Sequence, residues 1–371
     1  MRRVTRKTAL RRVVAPMRPL RSTQRHYTLR DLHGKALVGF KAAPADLQQR
    51  GLSKKVEETH LEARLYGTVL DWTGTCADEK GCDTGNGFLD LFRLRKLDVE
   101  YADTVAPIGL RKEQHIEAML WQPHILASFK KVYGRSPNMD DILAMAEGYT
   151  QLMCTKMTHT NIIAGAVDAV NVLRNILRMK VTGTTGFPRE IVNAVKQAAI
   201  RKDLVLDATA ASNDPGITAG RPDSQMLRRV VYQALASQMG LPTEYGFPQA
   251  PSEALLRRVG RHIVKGGDTV PDGNEGYAGR TWTVLFYGTS SLINVSSLGL
   301  WDRLSKQERL QKTQYSFDQL MQCEPDYITY SIASLYEVVT HINNRLQCGH
   351  LPNSQLPKGQ RSTRRIEQLG R

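Results

Sequence analysis

The run Val69 to Asp78 (VLDWTGTCAD) places a carboxylate, Asp71, directly after an apolar stretch, with Thr73, Gly74 and Thr75 behind it. A carboxylate at the carboxyl end of a buried strand is a poor core residue, and it stands at the edge where open α/β folds bind ligands. Aspartate is a covalent nucleophile toward phosphorus, and the N–H groups of a Gly/Thr turn can cradle phosphoryl oxygens. Three further groups follow the same logic. Thr184, Thr185 and Gly186 end a second apolar-flanked run, Arg221 stands in Ala-Gly-Arg-Pro, and Asp268 closes the run His262 to Asp268, with Asp272 four residues on. Asp71 and Asp268 are hard oxygen donors of the kind that hold Mg2+, which would offset the repulsion between an anionic nucleophile and a phosphoryl group. A threonine hydroxyl, loop N–H groups and Arg221 would stabilise the equatorial oxygens. Each residue also has a plainer reading: Asp71 in a turn, Asp272 as a helix cap, Arg221 on the surface. The set is more informative than any member of it.

These groups converge only if their strands are parallel neighbours. The spacing predicts a strand at 65–71, then helices around Leu89–Leu94, around Ile116–Leu120 and over 139–153, with no strand between them. From there the pattern alternates: helix 164–178, strand 179–184, helix 188–200 with Pro188 suited to its first turn, strand 203–207, helix 223–239, strand 262–266 and strand 281–287. A last helix is expected at 329–347. Alternation of this kind predicts an α/β fold, a doubly wound and mostly parallel Rossmann-like sheet, with the helical run inserted after its first strand. The expected division is a basic extension (1–60), a core (61–82 and 161–350), a helical cap (83–160) and a basic tail (351–371).

A net charge of +15 over 371 residues suggests nucleic acid until it is located. Residues 1–30 hold ten basic residues and no acid, and residues 353–371 hold five basic residues and one Glu, so the body between is nearly neutral. A groove-binding basic stripe is not required, and no nucleic-acid or membrane partner is expected. No apolar run approaches the roughly 18 residues of a membrane span. The Arg-rich, acid-free beginning fits a mitochondrial transit peptide or a basic arm, giving a mitochondrial or cytoplasmic location. Five cysteines without metal-ligand spacing suggest free thiols.

The pieces DWTGT (71–75), TTG (184–186), GRP (220–222) and GGDTVPD (266–272) resemble the haloacid-dehalogenase-like superfamily. The run from Pro107 to His115 (PIGLRKEQH), the run from Thr184 to Glu190 (TTGFPRE), the run from Thr218 to Pro222 (TAGRP) and the run from Gly267 to Gly276 narrow this to the phosphonoacetaldehyde hydrolase family, over about residues 65–345. That resemblance implies Asp71 as nucleophile and Mg2+ ligand, Thr73 as a ligand through its carbonyl, Asp268 as a further ligand, and Asp272 holding a metal-bound water or ordering the loop. It assigns phosphate binding to Thr75, Thr184, Thr185, Gly186 and Arg221, a Schiff base to Lys112 and proton transfer to His115. Lys112 and His115, three apart, would share one helix face. Positive charge near Lys112 would lower its pKa and leave a nucleophilic amine. The family also implies a homodimer.

Thr73 is informative. Most phosphatases of the superfamily carry Asp there, as the acid/base for an oxygen leaving group, whereas phosphonoacetaldehyde hydrolases carry Ala. Without that acid, a carbon leaving group needs an electron sink, and an iminium on Lys112 supplies one. Other departures from the family are Ile108 for Met, Phe187 for Tyr and a displaced Cys82. The expected activity is hydrolysis of the carbon–phosphorus bond of phosphonoacetaldehyde, with a Mg2+-dependent phosphatase or phosphomutase acting on a small ester as the alternative. A nucleic-acid-binding protein on a retired hydrolase scaffold is the weaker rival. A dinucleotide oxidoreductase is weaker still, because no G-x-G-x-x-G follows a strand.

Overall fold

The computed structural model describes residues 61–236, 238–239 and 253–366. The expected basic extension therefore lies outside the described residues, as does the end of the basic tail. Strand β1 (Gly67–Leu70) is followed by helices α1 (Cys82–Leu94), α2 (Lys112–Leu120), α3 (Pro123–Tyr133), α4 (Met139–Met157) and α5 (Ala166–Asn171), with no strand between them. Then come β2 (Lys180–Thr184), α6 (Arg189–Ile200), β3 (Ala208–Ala210), α7 (Gln225–Leu235), α8 (Glu253–Gly260), β4 (Ile263–Gly267), α9 (Val270–Ala278) and β5 (Trp282–Phe286). Helices α10 (Leu298–Arg303) and α11 (Lys306–Met321), β6 (Tyr327–Thr329), α12 (Leu335–Gln347) and β7 (Arg364–Ile366) complete the described chain.

Seven parallel strands form one sheet in the order β3-β2-β1-β4-β5-β6-β7. Every residue of β1, β4 and β5 is buried, as strands covered by helices on both faces must be. The chain runs outward from β1 through β2 to β3, then returns to β4 on the other flank. The order thus reverses at β1, and a crevice opens beyond the carboxyl ends there. Leu70 pairs with Gly183 on one side and Gly266 on the other. Asp71, Thr184 and Gly267 are each one residue further on, so the register alone carries the three candidate segments to one lip. The expected α/β doubly wound sheet is the observed one.

Five local features differ from expectation. The strand expected at 203–207 is a connection. Its alternation buries Leu204 and Leu206, but its one cross-strand pairing is the Asp207 N–H on the Val181 carbonyl, and the paired residues are Ala208–Ala210. Helix 164–178 is α-helical only to Asn171 and continues as a wider turn. Helix α3 was not anticipated, and the helix expected from 329 begins at Leu335 because Tyr327–Thr329 pairs as β6. The segment read as a basic tail contributes a strand: β7 pairs with β6. Asn353 holds it there, donating from Nδ2 to the carbonyls of Glu324, Pro325 and Ser362.

Helices α1, α2 and α4 pack Phe88, Met119, Tyr149 and Met153 into the same apolar body as Leu70, Val264 and Phe286 of the sheet. The helical run between β1 and β2 is therefore seated directly on the crevice. Among the described residues, no helix is long and apolar enough to cross a membrane. All five cysteines are free.

Candidate active site

Asp71 follows β1 and is 4% exposed. The turn behind it requires Gly74, whose φ is +69° and whose Cβ would stand 2.1 Å from an Asp268 oxygen. Asp268 follows β4, and Asp272 lies in the first turn of α9, where Thr269 caps the helix by accepting from the Asp272 N–H. One carboxylate oxygen from each of Asp71, Asp268 and Asp272 lies within 4.8 Å of the others.

Arg221 binds this group together. It donates from Nη2 to Asp71 Oδ1 and to the Thr184 carbonyl, each at 2.7 Å, and from Nε to Glu275 Oε2 at 3.0 Å. Its Nη1 is 3.0 Å from Asp272 Oδ1. Lys265, inside β4, donates to Asp272 Oδ1 at 2.8 Å and lies 3.2 Å from Glu275 Oε2. All these side chains are at most 5% exposed. Four acidic side chains face two basic ones, an excess of acid that a divalent cation on Asp71 and Asp268 would balance. The donor set is all oxygen, as Mg2+ requires.

The protonation states follow from this crowding. Burial is the largest influence on Asp71; Arg221 opposes it, Asp272 adds to it, and the carboxyl is pushed up to about 6. Asp268 is held well above the usual range by burial, then by Asp71 and Asp272. Burial also acts on Asp272, but Arg221 and Lys265 outweigh it and keep the carboxyl low. Asp71 is thus mostly ionised at neutral pH and available as a nucleophile.

Lys112 opens α2 and is 4% exposed. Its Nζ lies 4.8 Å from the Phe187 ring centroid, 5.3 Å from Phe88 and 5.6 Å from Tyr149. Burial brings its pKa down to about 7; Asp71 opposes this and Arg221 reinforces it. The sequence reading assigned this lowering to neighbouring positive charge, but desolvation leads. His115, fully buried and stacked on Phe88 at 3.7 Å, has Nε2 3.0 Å from the Thr104 carbonyl. A carbonyl accepts only, so Nε2 carries the proton and Nδ1 presents a lone pair. Among the described residues, that Nδ1 is buried without a hydrogen-bond partner. Burial, then Lys112, holds the ring pKa well below its usual value, so His115 is neutral.

A cavity of about 20 Å³ is lined by Asp71, Thr73, Lys112, Thr185, Gly186 and Arg221 among others, whereas His115 does not line it. It has room for about one water molecule. Gly186 meets the helical segment so closely that a Cβ would stand 2.4 Å from the Leu110 carbonyl. Two expected phosphate ligands are turned elsewhere. Thr75 donates to Asp268 at 3.3 Å. The Thr184 hydroxyl donates to Glu275 and accepts from Arg221 and Lys265, which leaves it tying β2 to α9. Thr185 faces the cavity, its hydroxyl accepting from the Phe187 N–H.

Lys265 and Glu275 were not anticipated. A lysine within an otherwise apolar strand was the available signal for the first. For the second, the signal was Glu275 standing three residues after Asp272, on the same helix face. Asp78 and Thr84, which back the cavity behind Thr73, carried no signal of their own.

No family model matches the chain. It is 27% identical over 292 residues to a phosphonoacetaldehyde hydrolase of Pseudomonas entomophila, covering 78% of this chain and 97% of that protein. It is 28% identical over 296 residues to one of Salmonella agona, covering 78% and 99%. A solved structure of a phosphonoacetaldehyde hydrolase-like protein from Oleispira antarctica superposes with a TM-score of 0.66 at 23% identity, covering 78% of this chain and 96% of that one. The similarity therefore extends over nearly the whole length of these relatives, and the fold is the one seen in the Oleispira antarctica structure.

Proposed function

We propose that this chain is a hydrolase that splits the carbon–phosphorus bond of phosphonoacetaldehyde, giving acetaldehyde and phosphate. The observation that carries the reading is a buried, aromatic-walled lysine with its pKa brought down to about 7, lining the same cavity as a carboxylate placed to attack phosphorus. The relatives' names agree with it.

The neutral Lys112 amine attacks the aldehyde carbon. His115 Nδ1 takes a proton from the nitrogen of the addition product and passes it to the aldehyde oxygen, and with a second proton from solvent that oxygen leaves as water, giving an iminium. Asp71 then attacks phosphorus. The carbon–phosphorus bond breaks, and its electron pair flows into the iminium to give an enamine, so carbon leaves without becoming a free carbanion. The enamine carbon then takes up a proton from solvent, passed on by His115 Nδ1. Water hydrolyses the resulting imine, freeing Lys112 and acetaldehyde, and water also cleaves the acyl phosphate on Asp71. Arg221 holds the phosphoryl oxygens, and the N–H groups beside Thr185 and Gly186 assist. When bound by Asp71, Asp268 and the Thr73 carbonyl, with Asp272 ordering the loop, Mg2+ would offset the charge gathered at phosphorus. Residues 83–160 act as a cap carrying Lys112 and His115, while the core carries Asp71.

A phosphatase reading is the weaker one, because position 73 carries a hydroxyl where an ester-cleaving acid would be a carboxylate. The test is product stoichiometry. Purified protein with Mg2+ and phosphonoacetaldehyde should release acetaldehyde and phosphate in equal amounts, and Asp71→Asn should abolish both. Phosphate release from small esters without turnover of the phosphonate would overturn the reading.

A further inference from the structure

Thr73 is not an isolated hydroxyl. Its Oγ1 is 3.3 Å from Thr84 Oγ1, and Thr84 Oγ1 donates to Asp78 Oδ2 at 2.6 Å. Asp78 also accepts the N–H of Asp83 at 2.7 Å and of Thr84 at 2.9 Å. Asp78 and Thr84 are each 1% exposed, while Thr73 and Thr84 both line the cavity. A hydroxyl has one proton. Thr84 spends its own on Asp78, so toward Thr73 it can only accept. Thr73 must therefore donate to Thr84, and toward the cavity it presents lone pairs alone. The chain of bonds runs one way, from the cavity to a buried carboxylate.

We propose that Thr73, Thr84 and Asp78 form a proton relay that serves the water attacking the acyl phosphate on Asp71. The inference rests on the reading of Asp71 as the nucleophile. Water bound to Thr73 Oγ1 attacks phosphorus, and the bond from phosphorus to the Asp71 oxygen breaks, restoring the carboxylate. The water's proton moves to Thr73, Thr73's to Thr84, and Thr84's to Asp78. It returns by the same path to the departing phosphate. The cavity has room for about one water beside Thr73. Burial, then Asp83, pushes the Asp78 carboxyl up to about 7, which suits a group that takes up and gives back a proton at neutral pH. The relay thus supplies the second half-reaction with the base that a carboxylate at position 73 would otherwise provide. Thr73 touches the water, whereas Thr84 and Asp78 are positioning residues that act through it.

The test separates the two half-reactions by rapid quench. In Thr84→Val, acid-stable borohydride trapping at Lys112 should match the parent enzyme, while the phosphorylated Asp71 should persist about 10²-fold longer, the low end of general-base effects. Thr84→Ser should restore the short lifetime. An unchanged lifetime in Thr84→Val, or a failure of Thr84→Ser to restore it, overturns the relay. If Thr84→Val does not fold, Thr73→Val is read by the same criterion. If phosphonoacetaldehyde does not phosphorylate the parent enzyme, the functional reading fails instead. The lifetimes are then compared after phosphorylation by acetyl phosphate, which does not need Lys112, and failure of that reagent as well overturns the relay too.

Discussion

At the scale of single residues, the account depends on where burial puts charge. Lys112 at its ordinary pKa of about 10.5 would be almost wholly protonated at neutral pH. Burial among Phe88, Tyr149 and Phe187 brings it to about 7. The folded value lies below the unfolded one, so the neutral amine gains population as pH rises through 7 rather than through 10. The rate of borohydride trapping should therefore climb between about pH 6 and 8 and level off above. A midpoint near 10 would contradict the buried placement. Lys265 is the second residue to test, since Asp272 and Glu275 depend on it. Replacing it with Met leaves buried carboxylates short of a partner, and denaturant titration should show a loss of about 3–5 kcal/mol. Asp71, Asp268, Arg221 and Lys112 were legible in the sequence because each stands in a short run of characteristic composition. Lys265 and Glu275 were not, because their meaning comes only from facing Arg221. Nor was the leading cause of the Lys112 shift, because neighbouring charge can be guessed from composition and burial cannot.

Among the elements, legibility followed length and burial. Strands β1, β4 and β5 are fully buried, read as apolar runs and were expected to within about two residues. Strands β6 and β7 are three residues each, and β7 has exposed arginines, so no apolar pattern marks it. The alternation at 203–207 misled because burial of Leu204 and Leu206 needs no ladder. What the sequence could not convey was the fit between elements. Gly186, beyond β2, lies under the segment that leads into α2, and a Cβ there would meet the Leu110 and Gly109 carbonyls at 2.4 and 3.0 Å. Backbone carbonyls cannot rotate away as a flexible side chain can. Gly186→Ala should push that segment, and Lys112 with it, off the lip. Displacements near 1 Å cost on the order of 10²-fold in rate. The expected result is a drop of that size in kcat/KM with the melting temperature largely kept; an equal rate would show that the segment is not positioned through this contact.

Taken whole, the molecule places the two groups proposed to react on different parts of one body: Asp71 on the sheet, Lys112 on the helical segment above it. The parallel sheet brings Asp71, Thr184 and Asp268 to a single lip through register alone. The cavity at that lip is lined by both parts, with Asp71 from the sheet side and Lys112 from the helical segment, so a movement of one against the other would open or close it. The central claim is that one aldehyde-bearing phosphonate bridges both groups. Borohydride reduction during turnover of phosphonoacetaldehyde, followed by peptide mapping, tests it most directly. The account predicts a reduced adduct on Lys112, accompanied by loss of activity, and absent from Lys112→Arg. An enzyme that hydrolyses phosphate esters yet forms no adduct at Lys112 would contradict it.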